Sequence, residues 1–201
     1  MVKKIAVIGC GGLGGFVAEE LAKLDIADLL LIDGDKFDES NKDRQIFCNN
    51  LTLGKPKAEM VQKYILSFSN KMVLNLNENI TDKNYEVLFD CDLVIDCTDN
   101  IETRMLINDY CKKNKIAIIH GGVSGNVGQV FLNLPTDKFS IKDIYKDSKE
   151  EKTKTTVYAV ASIASLEVAL ADKYLKGVIE DIQGKLFLID LESLSIKTLV
   201  L

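Results

Sequence analysis

The feature that most constrains this chain is an apolar run near its N-terminus that leads directly into a cluster of glycines. Ile5 to Ile8 are four consecutive apolar residues, which is typical of a parallel strand covered on both faces. Gly9, Gly11 and Gly14 follow with the spacing of the dinucleotide-binding fingerprint. Glycines there permit a tight turn and close approach of a phosphate, which the free N–H groups of a following helix stabilise. The stretch therefore predicts a phosphate-binding strand, loop and helix.

The length, the net charge and the apolar runs of the chain limit the class of protein to which it can belong. At 201 residues the chain suits a single α/β domain over residues 1–201. A net charge of −5 supplies no basic face, so we expect no nucleic-acid partner. No apolar run is long enough to cross a bilayer, and the first residues lead into a core strand instead of a cleavable signal. We therefore expect no membrane association and a cytoplasmic location.

The cysteines indicate reduced thiols. There are five, an odd number, and none forms a Cys-x-x-Cys pair, so a zinc site is not expected. The ordinary interpretation of such residues is that they are small buried hydrophobes. Cys10 is the candidate exception, because a helix N-terminus can lower the pKa of a thiol.

Apolar runs and helical periodicity predict the remaining elements. The fold class that they indicate is α/β, with a Rossmann-like, mostly parallel sheet, helices on both faces and an extension of antiparallel C-terminal strands. The predicted strands are Leu29–Ile32, Met72–Leu76, Leu93–Ile95, Ile116–His120, Gln129–Leu134, Lys185–Asp190 and Leu194–Leu199. The predicted helices are Leu13–Leu24, Lys55–Phe68, Asn84–Phe89, Ile101–Asn114 and Val157–Leu175. Residues 121–128 suggest a turn or bulge, and about 135–156 a mobile crossing loop.

Polar residues follow several predicted strands. In open α/β sheets, ligands bind beyond the carboxyl ends of the strands, which is where these residues lie. Asp33 lies about twenty residues beyond the glycine loop, which is the position of an acid that holds a ribose hydroxyl. The charged segment from Asp33 to Arg44 is either a functional loop or a solvated surface loop. His120, the only histidine, is expected to be structural because no nucleophile pattern accompanies it.

Two further groups of candidate site residues each allow a second, structural interpretation. Lys57 lies at a predicted helix N-terminus, where a cation is unfavourable unless an anion is close, so it is either a phosphate ligand or a surface lysine. Asp99 and Asn100 follow the Leu93–Ile95 strand and either bind a ligand or cap the next helix.

Five elements in this order resemble the ThiF/MoeB/HesA family of ubiquitin-activating-enzyme-like adenylyltransferases, most closely in kind ThiF, over nearly the whole chain. They are the Gly9-x-Gly-Gly-x-Gly14 loop, the Asp33-x-Asp35 pair, Ser40-Asn-x-x-Arg-Gln45, Gly54-Lys-Pro-Lys57 and Asp96-Cys-Thr-Asp-Asn-x-x-x-Arg104. The resemblance implies activation of the C-terminal glycine of a ubiquitin-like sulfur-carrier protein, ThiS- or MoaD-like, in thiamine or molybdopterin biosynthesis. Its product is an acyl-adenylate, and pyrophosphate leaves.

The resemblance also assigns roles. ATP and Mg²⁺ are the implied cofactors, the carrier ends in Gly-Gly, and a homodimer is expected. Arg44, Lys57 and Asp99 are the implied catalytic residues, with Asp99 at the metal. The implied ATP-binding residues are Gly11, Gly12, Asp33, Asp35, Ser40, Asn41, Arg44, Gln45, Lys57, Asp99 and Asn100.

The chain departs from the family pattern in ways that leave different functions open. The zinc-binding Cys-x-x-Cys pairs are missing, and no cysteine lies between Pro135 and Thr156, where many relatives carry one for a covalent step. A non-catalytic subunit of the same fold is one possibility. An NAD(P)-dependent oxidoreductase is the second possibility, since such enzymes share the glycine loop and Asp33. A dinucleotide carries only two phosphates, however, and its binding does not require Arg44, Lys57 and Asp99 together.

Overall fold

The computed structural model describes residues 2–146 and 153–201, in which eight strands form one sheet. The strands are β1 (Lys4–Ile8), β2 (Asp28–Ile32), β3 (Val73–Leu76), β4 (Leu93–Asp96), β5 (Ala117–Ser124), β6 (Val127–Asn133), β7 (Lys185–Asp190) and β8 (Ser195–Val200). Their order is β3-β2-β1-β4-β5-β6-β7-β8. Neighbours from β3 to β5 pair in parallel, and β6, β7 and β8 are added antiparallel. The predicted fold class is confirmed.

Helices cover both faces of this sheet. They are α1 (Gly12–Leu24), α2 (Lys57–Ile65), α3 (Ile101–Asn114), α4 (Ile141–Tyr145) and α5 (Val157–Leu175), with two 3-10 turns at Glu39–Asn41 and Tyr85–Leu88. The helix predicted over Lys55–Phe68 is too long, since Phe68 lies beyond the end of α2 and is exposed. Within the described part of the chain, no helix has both the length and the apolar character needed to cross a bilayer.

The strand alternation divides the core in two. Ile5 and Val7 of β1 pack with residues of α1, α2 and α5, whereas Ala6 and Ile8 pack with residues of α3 and α4. Successive side chains of a strand point to opposite faces, so an unbroken apolar strand can fill two cores at once. This explains why β1 contains no polar residue between Ile5 and Ile8.

The sheet has a topological switch point at β1. Its two neighbours are β2 and β4, so the chain builds outward on one side of β1 and then on the other. Ligands in open α/β sheets bind beyond the carboxyl ends of the strands at such a point. The glycine loop, Asp33 and the residues after β4 all lie at this edge.

Two predicted irregular segments contain regular structure. The turn predicted over residues 121–128 is confined to Gly125 and Asn126, where the chain reverses and Gly125 has a φ of 61°, because β5 continues through Gly121 and Gly122 to Ser124. The predicted crossing loop contains α4, whose first residues are fixed by Ser140 and Asp143 in a capping box. Residues 147–152, in the second half of the predicted mobile loop, lie outside the described residues.

Candidate active site

A cleft of about 1280 Å³ opens at the carboxyl ends of β1, β2 and β4. It is lined by most of the predicted site residues, namely Gly11, Gly12, Asp33, Asp35, Arg44, Gln45, Lys57, Asp99 and Asn100. Ser40 and Asn41 are not among the lining residues. They form the 3-10 turn behind Arg44, and the carbonyl oxygen of Ser40 accepts a hydrogen bond from Arg44 Nη1 at 2.8 Å. These two residues can therefore act on the cleft through Arg44.

The glycine loop is packed too tightly for side chains at two positions. A Cβ at Gly9, whose φ is 90°, would lie 2.7 Å from the carbonyl oxygen of Cys97. A Cβ at Gly14 would lie 1.7 Å from the carbonyl oxygen of Gly9. Gly11 caps α1 without a side chain, so the first N–H groups of the helix are left for an anion.

Asp33 fixes the glycine turn and faces the cleft. Its Oδ2 accepts a hydrogen bond from the backbone N–H of Cys10 at 2.7 Å, and its Oδ1 accepts one from Asp35 N at 2.7 Å. Burial raises the pKa of Asp33, although the positive charge of Lys57 and the two backbone donors oppose this. The carboxylate keeps free lone pairs for ligand hydroxyl groups.

The cleft carries two cations at its glycine-loop end. Lys57 is not a surface lysine, because its side chain is 8% exposed and its Nζ lies 2.9 Å from Asp35 Oδ2. Arg44 is half-buried, and its Nη1 also donates to Asp43 Oδ1 at 2.7 Å. Burial of a charged lysine costs free energy unless the charge is paired. Asp35, the partner of Lys57, is itself largely exposed. An anion in the cleft would complete the pairing of both cations.

Gln45 provides a direct test of whether the cleft suits a polar ligand. Its side chain is buried against Gly11, and its Oε1 has no hydrogen-bond partner among the described residues. Buried polar atoms are rarely left without a partner. The site lies beside the glycine loop, so a bound nucleotide fits the residues present.

Asp99 and Asn100 have different surroundings. Asn100 caps α3, because its Oδ1 accepts from Thr103 N at 2.8 Å. Asp99 is exposed and lines the cleft. The helix-cap interpretation therefore applies to Asn100.

Across residues 2–146 and 153–201, no group of three or more His, Cys, Asp or Glu residues could hold a metal ion. One carboxylate beside a polyphosphate does suit Mg²⁺, which binds proteins through few ligands and keeps several waters.

The thiols and His120 are buried. All five cysteines are free and buried. The expectation of a lowered pKa at Cys10 is wrong, since burial raises the pKa of this thiol well above its usual value. His120 is fully buried, and burial lowers its pKa against the opposing effect of Asp96.

Several residues at the opposite end of the cleft have no role predicted from the sequence. Arg104 and Gln129 line it, and so does Tyr145 from α4. Arg104 is the last residue of the motif that begins at Asp96, and this motif is the feature of the sequence that could have indicated a role for Arg104. Tyr145 lies within the predicted mobile loop, and only the short Ser140-x-x-Asp143 pattern indicates a helix there.

The fold and the cleft together have the features of a nucleotide-binding α/β domain. A glycine loop opens the first helix, an acid ends the second strand, and cations and a carboxylate meet at the switch point. The model of the ThiF family matches residues 2–201, and the chain belongs to that family.

Curated relatives of similar sequence carry several names. The chain is 28% identical to "SAMP-activating enzyme E1" of Haloferax volcanii, over 97% of this chain and 75% of that one. It is 30% identical to "Sulfur carrier protein ThiS adenylyltransferase" of Escherichia coli, over 98% of this chain and 82% of that one. It is 34% identical to "tRNA threonylcarbamoyladenosine dehydratase" of Bacillus subtilis, over 71% of this chain and 55% of that one.

Solved structures show the same fold. E. coli MccB, in a crystal structure with SeMet MccA, superposes with a TM-score of 0.87 at 22% identity, over 98% of this chain. This chain spans 63% of the length of that MccB chain. The likeness concerns the fold alone.

Proposed function

We propose that the chain is an ATP-dependent adenylyltransferase that activates the C-terminal glycine of a ubiquitin-like sulfur-carrier protein, ThiS- or MoaD-like, in thiamine or molybdopterin biosynthesis. The observation that carries the proposal is the convergence of the glycine loop, Asp33, the two cations and Asp99 on one cleft at the switch point. A cytoplasmic homodimer belongs to the same proposal.

The chemistry explains why this set of groups is needed. The carrier's terminal carboxylate attacks the α-phosphorus of ATP, the bond to the bridging oxygen breaks, and pyrophosphate leaves with that electron pair. Two anions must meet, and negative charge grows on the leaving group. Arg44 and Lys57 would offset that charge, and the N-terminus of α1 would orient the phosphates. A bound Mg²⁺ near Asp99 would add positive charge at the phosphates. Little proton transfer is required, so the reaction does not call for a general base.

The relatives support adenylyl transfer more strongly than they support one acceptor. Two of the three relatives are named as an activating enzyme and as a sulfur-carrier adenylyltransferase, and those alignments cover nearly the whole of this chain. The dehydratase relative favours a second candidate acceptor, a modified tRNA nucleoside. A net charge of −5 argues against a tRNA partner, because binding of nucleic acid depends on cations that neutralise phosphates.

An oxidoreductase and a non-catalytic subunit would make different demands on the cleft. A nicotinamide-dependent oxidoreductase gives no reason for a buried Lys57 in the same cleft as Arg44 and Asp99. A non-catalytic subunit gives no reason to retain both cations.

Pyrophosphate release tests the proposal directly. Purified protein, Mg²⁺ and ATP are incubated with a panel of ThiS- and MoaD-like carriers and with tRNA bearing a threonylcarbamoyl group. We expect release with at least one carrier that ends in Gly-Gly and none after those two glycines are deleted. Release with the tRNA alone would move the acceptor to the second candidate, and no release with any acceptor would favour the non-catalytic subunit.

A matched pair of lysines tests the site itself. Lys57→Ala should lower the rate on the order of a hundredfold, the usual cost of removing one preorganised charge. Lys55→Ala, two residues away and exposed, should stay within a few-fold of the parent. Equal rates for the two variants would place the phosphates elsewhere.

A further inference from the structure

A buried hydrogen-bond circuit lies behind the loop that carries Asp99, and it begins at a cross-strand pair. Asp96 of β4 and His120 of β5 are partners in register, and both are fully buried. His120 Nδ1 lies 2.9 Å from Asp96 Oδ2. The other carboxylate oxygen, Oδ1, accepts from Thr98 Oγ1 at 2.6 Å and from Thr98 N at 3.1 Å. Asp96 therefore ties the start of the Asp99 loop to β5.

Tyr145 of α4 extends the circuit to a third element. Its hydroxyl oxygen lies 2.8 Å from His120 Nε2, 2.9 Å from Gln129 Nε2 and 2.5 Å from Arg104 Nη1. Gly122, two residues after His120 on the same face of β5, leaves the necessary space, because a Cβ there would lie 3.0 Å from that hydroxyl. The tyrosine thus sits where β5, β6 and α3 converge.

Arg104 closes the circuit. Its guanidinium carbon lies 4.9 Å from the centre of the Tyr145 ring, and its Nη2 donates to the carbonyl oxygen of Thr98 at 2.5 Å. Thr98 immediately precedes Asp99. The chain of contacts from Asp96 through His120, Tyr145 and Arg104 therefore returns to the loop from which it started.

The donors and acceptors fix the histidine tautomer. Arg104 Nη1 and Gln129 Nε2 can only donate, so they occupy the two lone pairs of the Tyr145 hydroxyl. The hydroxyl hydrogen is left for His120 Nε2, which must accept. The imidazole proton then lies on Nδ1 and is donated to Asp96. Burial would raise the pKa of Asp96, but the bond from His120 and the charge of Arg104 outweigh burial and lower it. An ionised Asp96 is the acceptor that this arrangement requires.

We propose that His120 and Tyr145 are positioning residues, which hold the Thr98–Asp99 loop from behind so that the Asp99 carboxylate faces the phosphates. The inference rests on the proposed function of Asp99 in adenylyl transfer. Neither His120 nor the Tyr145 hydroxyl needs to touch the reacting atoms for this role. Mutation of a residue that orients a metal ligand commonly lowers metal affinity or activity by about 10–100-fold.

The single histidine makes the circuit observable without any activity. In protein purified without a histidine tag, nitrogen-15 NMR of the imidazole should show the Nδ1–H tautomer of a neutral ring at pH 7. Tyr145→Phe should shift the Nε2 resonance, because its donor is gone. An Nε2–H tautomer in the parent would overturn the circuit.

Kinetics then separate positioning from general damage. Tyr145→Phe should lower the rate of carrier-dependent pyrophosphate release about tenfold or more, with the Kd for ATP without metal within about twofold of the parent. Tyr64→Phe is the matched control, since it removes an exposed hydroxyl that contacts Glu19 at 3.3 Å. Equal rates for the two variants, in a parent that is active, would overturn the positioning role and leave the proposed function intact.

Two substitutions of His120 divide the circuit. His120→Asn places an amide nitrogen near Nδ1, so it keeps the bond to Asp96 and loses the bond to Tyr145. His120→Gln reaches Nε2, so its amide oxygen can accept from Tyr145. Each variant loses one of the two bonds that hold the loop, so each should lower the rate, and a variant as active as the parent would contradict the proposal. A parent that is inactive with every acceptor would remove the proposed function, and this inference with it.

Discussion

The two ends of the cleft are built in different ways. At the glycine-loop end, the groups that face a ligand come from backbone geometry within one strand, turn and helix, and from residues before position 58. Behind Asp99, the groups are side chains from β4, β5, β6, α3 and α4, and two of them are fully buried. At the glycine-loop end, a side chain in place of a glycine would distort the backbone. Behind Asp99, a substitution would remove side-chain hydrogen bonds and leave the backbone in place. The expected effects of mutations follow that division.

The largest effect is expected at the glycine loop. Gly14→Ala would bring a Cβ within 1.7 Å of a backbone oxygen, and a backbone atom cannot move aside as a side chain can. We expect a loss of more than about 3 kcal/mol in unfolding free energy, or no folded protein. Gly177→Ala is the control, with φ of 73° and nothing near its Cβ, so it should cost about 1–2 kcal/mol. Urea unfolding measures both, and a small loss of unfolding free energy for Gly14→Ala would show that the glycine loop can accommodate a Cβ at this position.

The next effect concerns activity without stability. Asp99→Asn should lower pyrophosphate release on the order of a hundredfold, because it removes one preorganised charge from the phosphate site. Its melting temperature should hardly change, since Asp99 is exposed and Asn100 provides the cap of α3. Asp181→Asn, an exposed acid after α5, is the control. An Asp99→Asn enzyme as active as this control would move the metal or the chemistry away from Asp99.

A pH-dependent effect is expected from Glu167, which is fully buried in α5 beside Cys97. Burial, reinforced by the negative charge of Asp96, raises the pKa of Glu167 well above its usual value. The folded chain therefore keeps a proton that the unfolded chain releases above about pH 4.3. The stability from Glu167 is full below that pH and falls by up to about 1.4 kcal/mol per pH unit as pH rises toward the folded pKa.

Glu167→Gln should remove that slope, so its advantage over the parent should grow from pH 5 to pH 7.5 in urea unfolding. Glu180→Gln, at an exposed glutamate, should follow the parent. A parent and a Glu167→Gln variant with parallel pH profiles would show that Glu167 is ionised in the folded chain.

The smallest effect separates Asn100 from Asp99. Asn100→Ala removes the cap of α3 and should cost about 1 kcal/mol, whereas Asn100→Asp keeps a capping oxygen and should cost little. Thermal unfolding of both variants measures the difference. Equal stability of the two would mean that the cap contributes nothing to α3.

The glycine-loop end is predictable from sequence because its signals are local. Ile5–Ile8, the glycine spacing and Asp33 each depend on a few neighbouring residues, and β1, α1 and β2 form there as expected. Sequence could not decide between the two interpretations of Lys57, since burial depends on how distant segments pack. The same limit makes the expectation for Cys10 wrong, because its helix N-terminus is visible in the sequence and its burial is not.

The region behind Asp99 could be predicted only in part. The motif from Asp96 to Arg104 is evident, yet its partners His120, Gln129 and Tyr145 come from other elements, and no spacing rule joins them. α4 has only five residues, too few for a helical period to emerge from the sequence. Its fixed position depends on Ile141 in the core and on Tyr145 in the circuit.

Calorimetry with nucleotides tests the central claim most directly, because it needs no carrier. We expect the protein to bind Mg²⁺ and ATP far more tightly than NAD⁺ or NADH, since Lys57 and Arg44 favour a triphosphate over a dinucleotide. Lys57→Ala should reduce that preference, and Lys55→Ala should not. Tighter binding of NAD⁺ or NADH than of Mg²⁺ and ATP would contradict the account and favour an oxidoreductase.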